Sequence, residues 1–140
     1  MCLGRALKLD KETQTLIQGY LTKSEEKLKA AHVLQKNRNF DDAVSRAYYA
    51  AFHAAQAVLL TEGLRAETHQ GLVNLFGLHF VKTGKLDKKF GKFLANLKDD
   101  RENGDYEIYS AIDEESARLA VKEAREFLKA MKHYLAKYTE

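Results

Sequence analysis

Residues 43–60, AVSRAYYAAFHAAQAVLL, decide the fold. The stretch has no Gly and no Pro and is crowded with Ala, so nothing in it opposes a helix. On a helix, Ala43, Ala47, Ala51, Ala54 and Val58 fall on one line, and Val44, Tyr48, Phe52, Ala55 and Leu59 on the line beside it. The two lines cover most of the circumference, and a helix that is apolar nearly all round belongs inside a domain. Its many Ala side chains let neighbouring helices approach closely. A third strip, Ser45, Arg46, Tyr49, His53 and Gln56, is polar and partly aromatic. Polar groups on a mostly buried helix require partners, because an unpaired buried donor or charge is costly. The strip is therefore the first place to look for function.

Outward from this helix the chain is helical on both sides. Residues 1–10 read as a lead-in. From about Lys11 to Lys36 one stripe runs Leu16, Ile17, Tyr20, Leu21, Ser24, Leu28, Ala31 and Leu34, opposite a Lys/Glu face. Asn37, Arg38 and Asn39 break it, and Asn39 or Asp41 can cap the central helix, which runs from Phe40 to Glu62 and stops at Gly63. Thr68 is a candidate N-cap for a third helix reaching about Lys82, with Gly84 after it. A fourth helix spans Lys85 to Asn103, and Asn103-Gly104 reads as its stop. Residues 105–112, DYEIYSAI, read as a loop. Asp113 caps the last helix, whose stripe includes Ala117, Val121, Phe127, Leu128, Met131 and Leu135, to about Lys137. Five helices with short connections, and no convincing strand, predict an all-α, up-and-down antiparallel bundle forming a single domain over 11–137.

Composition narrows the class further. The chain has 140 residues, enough for one domain with a real core, and its 45% hydrophobic and 31% charged content is that of a globular protein. The absence of Pro favours long uninterrupted helices. A formal net charge of +3 is compatible with nucleotides or RNA but does not single them out. The one cysteine, Cys2, builds neither a disulfide framework nor a zinc site, which fits a reducing, cytoplasmic setting. The opening MCLGRALKLD has no long apolar run, so neither a signal peptide nor a membrane anchor is expected. No Gly-rich phosphate loop, metal-ligand spacing or nucleophile motif is present, and no cofactor or metal is expected.

Three polar groups can carry chemistry: the central-helix strip, Thr68-His69, and Arg101 to Tyr106. Arg101 offers a planar charged fork that matches phosphate, but a cation at a helix end is also favoured on its own or in an ion pair. His53 reads either as a hydrogen-bonded core histidine or as a functional one, and His69 is equally open. Tyr48, Tyr49 and Phe52 are core or interface aromatics, or else a platform for bases. The basic run Lys82, Lys85, Lys88, Lys89 and Lys92 is a solvated face, with phosphate backbone as its candidate ligand.

The stretch AVSRAYYAAFHAAQAVL and the later RENGDY turn, residues 101–106, resemble the HEPN domain family, above all its small stand-alone UPF0332 members. Thr68-His69-Gln70-Gly71-Leu72, the FVKTGKL stretch and the Ala-rich last helix fit as well, so the resemblance spans about residues 10–137. It implies a helical bundle that dimerises, with the regions after the fourth helix facing each other across a cleft. Many such proteins are metal-independent RNases with an Arg followed, after four to six residues, by a His. The Arg binds or polarises phosphate, and the His assists attack by the RNA 2′-hydroxyl. Many are encoded beside a minimal nucleotidyltransferase, as toxin and antitoxin, and in some the partner adenylylates a Tyr just after the His. In this chain Arg101 matches the Arg, but Tyr106, Glu107 and Ile108 stand where the His would be. A Tyr titrates near pH ~10 and is poorly matched to acid–base work at neutral pH.

The first expectation is therefore a binding module. It would be a homodimer holding nucleotide or RNA phosphate in a cleft lined by Arg46, Tyr49, His53, Arg101, Asp105 and Tyr106, with a minimal nucleotidyltransferase as partner. Two alternatives stay open. One is a metal-independent RNase toxin with a degenerate Arg–His motif, drawing on His53, His69 or Asp105. The other is a non-catalytic protein whose polar strip hydrogen-bonds across a dimer seam. If a partner adenylylates the chain, Tyr106 and Tyr109 are the candidate acceptors.

Overall fold

The computed structural model describes residues 9–106 and 112–138. Among the described residues five α-helices follow one another: α1 (Lys11–Lys36), α2 (Phe40–Leu59), α3 (His69–Phe76), α4 (Lys88–Tyr106) and α5 (Glu114–Leu135). Tighter 3₁₀ turns, Leu60–Glu62 and Ala136–Tyr138, prolong α2 and α5, and a wider π turn, Gly77–Val81, prolongs α3. No strand occurs among the described residues. The all-α bundle expected from the apolar spacing is the architecture observed.

Helix α2 is the hub, packing against each of the other four helices. Ala43, Ala47, Ala50, Ala51, Ala54, Ala55 and Ala57 are all fully buried, so α2 meets neighbours on nearly every side through methyl groups. The separation of packed helices is set by the side chains at the contact, and Ala brings it to the short end. Ser24 of α1 shows how short: its Oγ donates to the backbone carbonyl of Ala50, 2.6 Å away. A larger residue at the seam would hold the two backbones apart and break that bond. On the far side the core is aromatic. Phe76 and Phe80 from α3 and its π turn meet Phe127 and Tyr134 of α5 at ring separations of 5.5 and 5.9 Å.

The helix ends follow local chemistry. Asp10, Thr68 and Asp113 cap α1, α3 and α5, their side chains accepting from Thr13 N, Gly71 N and Ser116 N. A Cβ at position 71 would lie 2.7 Å from Thr68 Oγ1, so the cap of α3 needs a glycine there. Asn39 stands at the N-cap of α2, but its side chain makes no capping bond. Gly63, at φ 69°, closes the 3₁₀ turn after α2.

Two boundaries differ from the sequence expectation. Helix α4 begins at Lys88 rather than Lys85, with Asp87 Oδ1 accepting from Lys89 N at 2.9 Å. At its other end α4 does not stop at Asn103-Gly104 but continues to Tyr106. Gly104 serves close approach: a Cβ there would meet Ile112 Cδ1 at 2.7 Å and Asp41 Cβ at 3.6 Å. Packing of the last turn of α4 onto the start of α2 outweighs the local stop signal. Asp105 and Tyr106, read as the start of a loop, are therefore helical.

Ala51→Leu is expected to destabilise the fold by about 1–3 kcal/mol through overpacking, read as a lower midpoint in urea unfolding. An unchanged midpoint would mean that the α2 seam is not closely packed.

Candidate functional site

The candidate site is built where α2, α3 and α4 meet. On α4 the inward positions Leu94 and Leu97 are fully buried, and Arg101 continues the same line at helical spacing. Its guanidinium is thus carried inside rather than into solvent, and the residue is only 7% exposed. There it lies over two rings of α2, 5.6 Å from the centroid of Tyr48 and 5.8 Å from that of Tyr49, distances at which a cation is attracted to an aromatic face. Arg101 Nη1 also pairs with Asp105 Oδ2 at 3.3 Å, one turn further along α4.

His69 enters from α3. As the first residue after the Thr68 cap it is held at the helix mouth, pointing at α2. Its Nδ1 lies 2.7 Å from the Tyr48 hydroxyl. Its ring centroid is 5.5 Å from Tyr48, 5.9 Å from Tyr49 and 5.2 Å from Phe52. Arg101 and His69 therefore rest on the same pair of tyrosine rings.

The electrostatics follow from this crowding. Burial pushes the Tyr48 phenol well above the ordinary tyrosine range, only partly opposed by the nearby Arg101 charge, so it stays protonated. Burial, and then the charges of Arg101 and Lys98, depress the His69 imidazole, with Glu102 opposing weakly. His69 is thus held neutral beside a permanent cation.

The residues of the polar strip part company here. Tyr49 joins Arg101. Arg46 is exposed and Ser45 half-buried. Gln56 is structural: its side chain donates to Ala66 O at 3.0 Å and accepts from Ala66 N at 3.3 Å, tying the loop after α2 to the core. His53 turns towards α1, stacking on Tyr20 at 6.2 Å. Its Nδ1 is buried without a hydrogen-bond partner among the described residues, and burial together with Lys23 and Lys27 lowers its pKa from 6.5 to about 4. Asp105 pairs with Arg101. Tyr106 is placed by its backbone in the last turn of α4, and Tyr109 lies outside the described residues. Of the expected cleft residues, the structure brings together Tyr49, Arg101 and Asp105. Tyr48, read from sequence as a core or interface aromatic or else a platform for bases, joins them, and its bond to His69 was not foreseen. The signal was its hydroxyl, since a fully buried phenol must find a partner.

No helix among the described residues is long and apolar enough to cross a membrane. No group of three or more His, Cys, Asp or Glu side chains among them is placed to hold a metal ion.

Residues 17–134 match the family model described as HEPN domain. The chain is 36% identical over 127 residues to a candidate toxin of Methanocaldococcus jannaschii, covering 91% of this chain and 94% of the relative. It is also 36% identical over 120 residues to a UPF0332 protein of Thermotoga maritima, covering 86% and 91% of the two chains. In fold it is similar to the crystal structure of TT1696 from Thermus thermophilus, with a TM-score of 0.71 at 16% identity over 85% of this chain and 98% of that one.

The His53 environment makes stability pH-dependent. The folded imidazole resists protonation until about pH 4, whereas the unfolded one titrates near 6.5. Stability from the neutral ring is complete above pH 6.5 and is lost as pH falls towards about 4, with His69 acting in the same direction. His53→Phe keeps a ring against Tyr20 and removes the unpartnered nitrogen. Thermal melts at about pH 7 and about pH 5 should then differ less than in the wild type. An undiminished difference would place the titration elsewhere.

Proposed function

Since the chain belongs to the HEPN domain family, we propose that it is a nucleotide- or RNA-phosphate-binding module built around Arg101. The observation that carries this reading is a nearly buried guanidinium held over Tyr48 and Tyr49 rather than spread into solvent. A planar fork of N–H donors matches phosphoryl oxygens, and the half-buried Tyr49 ring beside it gives a base something to stack on. Asp105 orients the fork through its ion pair. In the same proposal the protein works as a homodimer with a minimal nucleotidyltransferase partner. Relatives named as candidate toxins support a two-component system of that kind. Tyr106 and Tyr109 are the residues such a partner would adenylylate, and Arg46 and His53 would form the outer edge of the binding surface.

A second reading, RNA cleavage, draws support from one observation. His69 supplies an imidazole beside Arg101 although no His follows Arg101 at a spacing of four to six residues. Cleavage of RNA in EDTA by the wild type, abolished by Arg101→Ala, would favour it over simple binding.

Binding is tested by fluorescence anisotropy of a labelled single-stranded RNA at fixed salt. Arg101→Ala should weaken binding by about tenfold or more, the size of a hydrogen-bonded charge contact. Equal affinity of wild type and Arg101→Ala would overturn the proposal.

A further inference from the structure

The hydrogen bond between Tyr48 and His69 has a direction, and the direction has a consequence for ligands. Tyr48 is fully buried, and among the described residues its hydroxyl has one hydrogen-bond partner, His69 Nδ1 at 2.7 Å. A buried phenol must donate its proton, and here the acceptor is Nδ1. In a neutral imidazole, an accepting Nδ1 leaves the proton on Nε2. Burial favours that neutral form first, the charges of Arg101 and Lys98 favour it next, and Glu102 pulls the other way. Nε2 makes no hydrogen bond to the described residues, yet it is not among their buried partnerless nitrogens, so it opens to solvent.

The outward N–H and the Arg101 guanidinium both lie beside the rings of Tyr48 and Tyr49. Their distances to the Tyr48 centroid are 5.6 Å for the guanidinium and 5.5 Å for the imidazole centroid, and to the Tyr49 centroid 5.8 and 5.9 Å. One donor is charged and the other neutral. We propose that Tyr48 locks His69 as the Nε2–H tautomer, and that this N–H and the Arg101 guanidinium together grip the phosphoryl oxygens of a nucleotide unit. His69 is then a binding residue and Tyr48 a positioning residue. The inference rests on the phosphate-binding reading above and makes its site specific. Two donors from different helices fix the orientation of a phosphoryl group, which a single arginine does not. The neutral donor adds no charge and displaces no counterion. Asp105, which already accepts from Arg101, bounds the cradle on the α4 side and must share that guanidinium with any anion.

Two measurements test this. The first is the imidazole 15N–1H correlation spectrum of the wild type, which should show His69 protonated on Nε2 with a hydrogen-bonded Nδ1. In Tyr48→Phe that Nδ1 signature should vanish. The second is the salt dependence of RNA binding. Arg101→Ala should lower the slope of log K against log salt by about one, because one phosphate contact by a cation is lost. His69→Ala should weaken binding by about tenfold with the slope unchanged, because a neutral donor releases no counterion. The double variant Tyr48→Phe with His69→Ala leaves no buried hydroxyl unpartnered and should show the same loss, which separates binding from misfolding. Displacement of the RNA by AMP would assign the cradle to free nucleotide phosphate, and failure of AMP to compete would assign it to the RNA phosphodiester. A proton on Nδ1 in the wild type would overturn the inference. So would wild-type binding by His69→Ala, or a slope reduced as much as in Arg101→Ala. If Arg101→Ala still weakens binding in those cases, the phosphate-binding reading stands and only the His69 cradle falls. If Arg101→Ala binds as the wild type does, both fall.

Discussion

The close approach of four helices to the alanine surface of α2 is the constraint on which the rest of the structure depends. Seven fully buried alanines let α1, α4 and α5 draw in far enough for a serine on α1 to reach a backbone carbonyl of α2. The same closeness carries Arg101 from the inner face of α4 onto the rings of Tyr48 and Tyr49. Wider packing would leave the guanidinium in water, where it would be one more screened surface charge. The candidate site thus follows from the packing of α2, α3 and α4.

Within that frame the polar groups sort by what each finds to bond. Gln56 finds both backbone groups of Ala66 and becomes part of the architecture. Among the described residues His53 finds no donor or acceptor for its buried nitrogen, and it is forced neutral by burial and two lysines of α1. His69 finds the Tyr48 hydroxyl and is neutral for a second reason, the nearby Arg101. Two histidines a few ångströms from the same aromatic cluster therefore differ in kind. One is a source of pH-dependent instability, and the other is a directed group beside a cation.

Much of the fold was legible in the sequence because apolar spacing and capping residues act locally. The mostly buried character of residues 43–60, the Thr68 and Asp113 caps and the Gly63 stop all appear where the residue types place them. The misreading at the end of α4 has its cause in tertiary contact. Gly104 looked like a stop because glycine ends helices, yet here it lets α4 pass close to Asp41 and Ile112. The site was half legible. Arg101, Tyr49 and Asp105 stood out by residue type and spacing. The pairing of Tyr48 with His69 joins residues far apart in the chain, and no period or motif encodes it. Arg46, by contrast, shared a helical strip with Tyr49 yet is exposed, because a strip one residue wide straddles the boundary between core and solvent.

The central claim is that ligand phosphate is met at the junction of α2, α3 and α4 and not on the lysine-rich surface. That surface, with Lys82, Lys85, Lys88, Lys89 and Lys92, is the natural rival, since lysines attract any polyanion. Chemical-shift mapping of the 15N-labelled protein with a short single-stranded RNA separates the two most directly. The account predicts that the largest shifts fall on His69, Arg101 and the backbone of Tyr48 and Tyr49. Shifts confined to residues 82–92, with His69 and Arg101 unmoved, would contradict it.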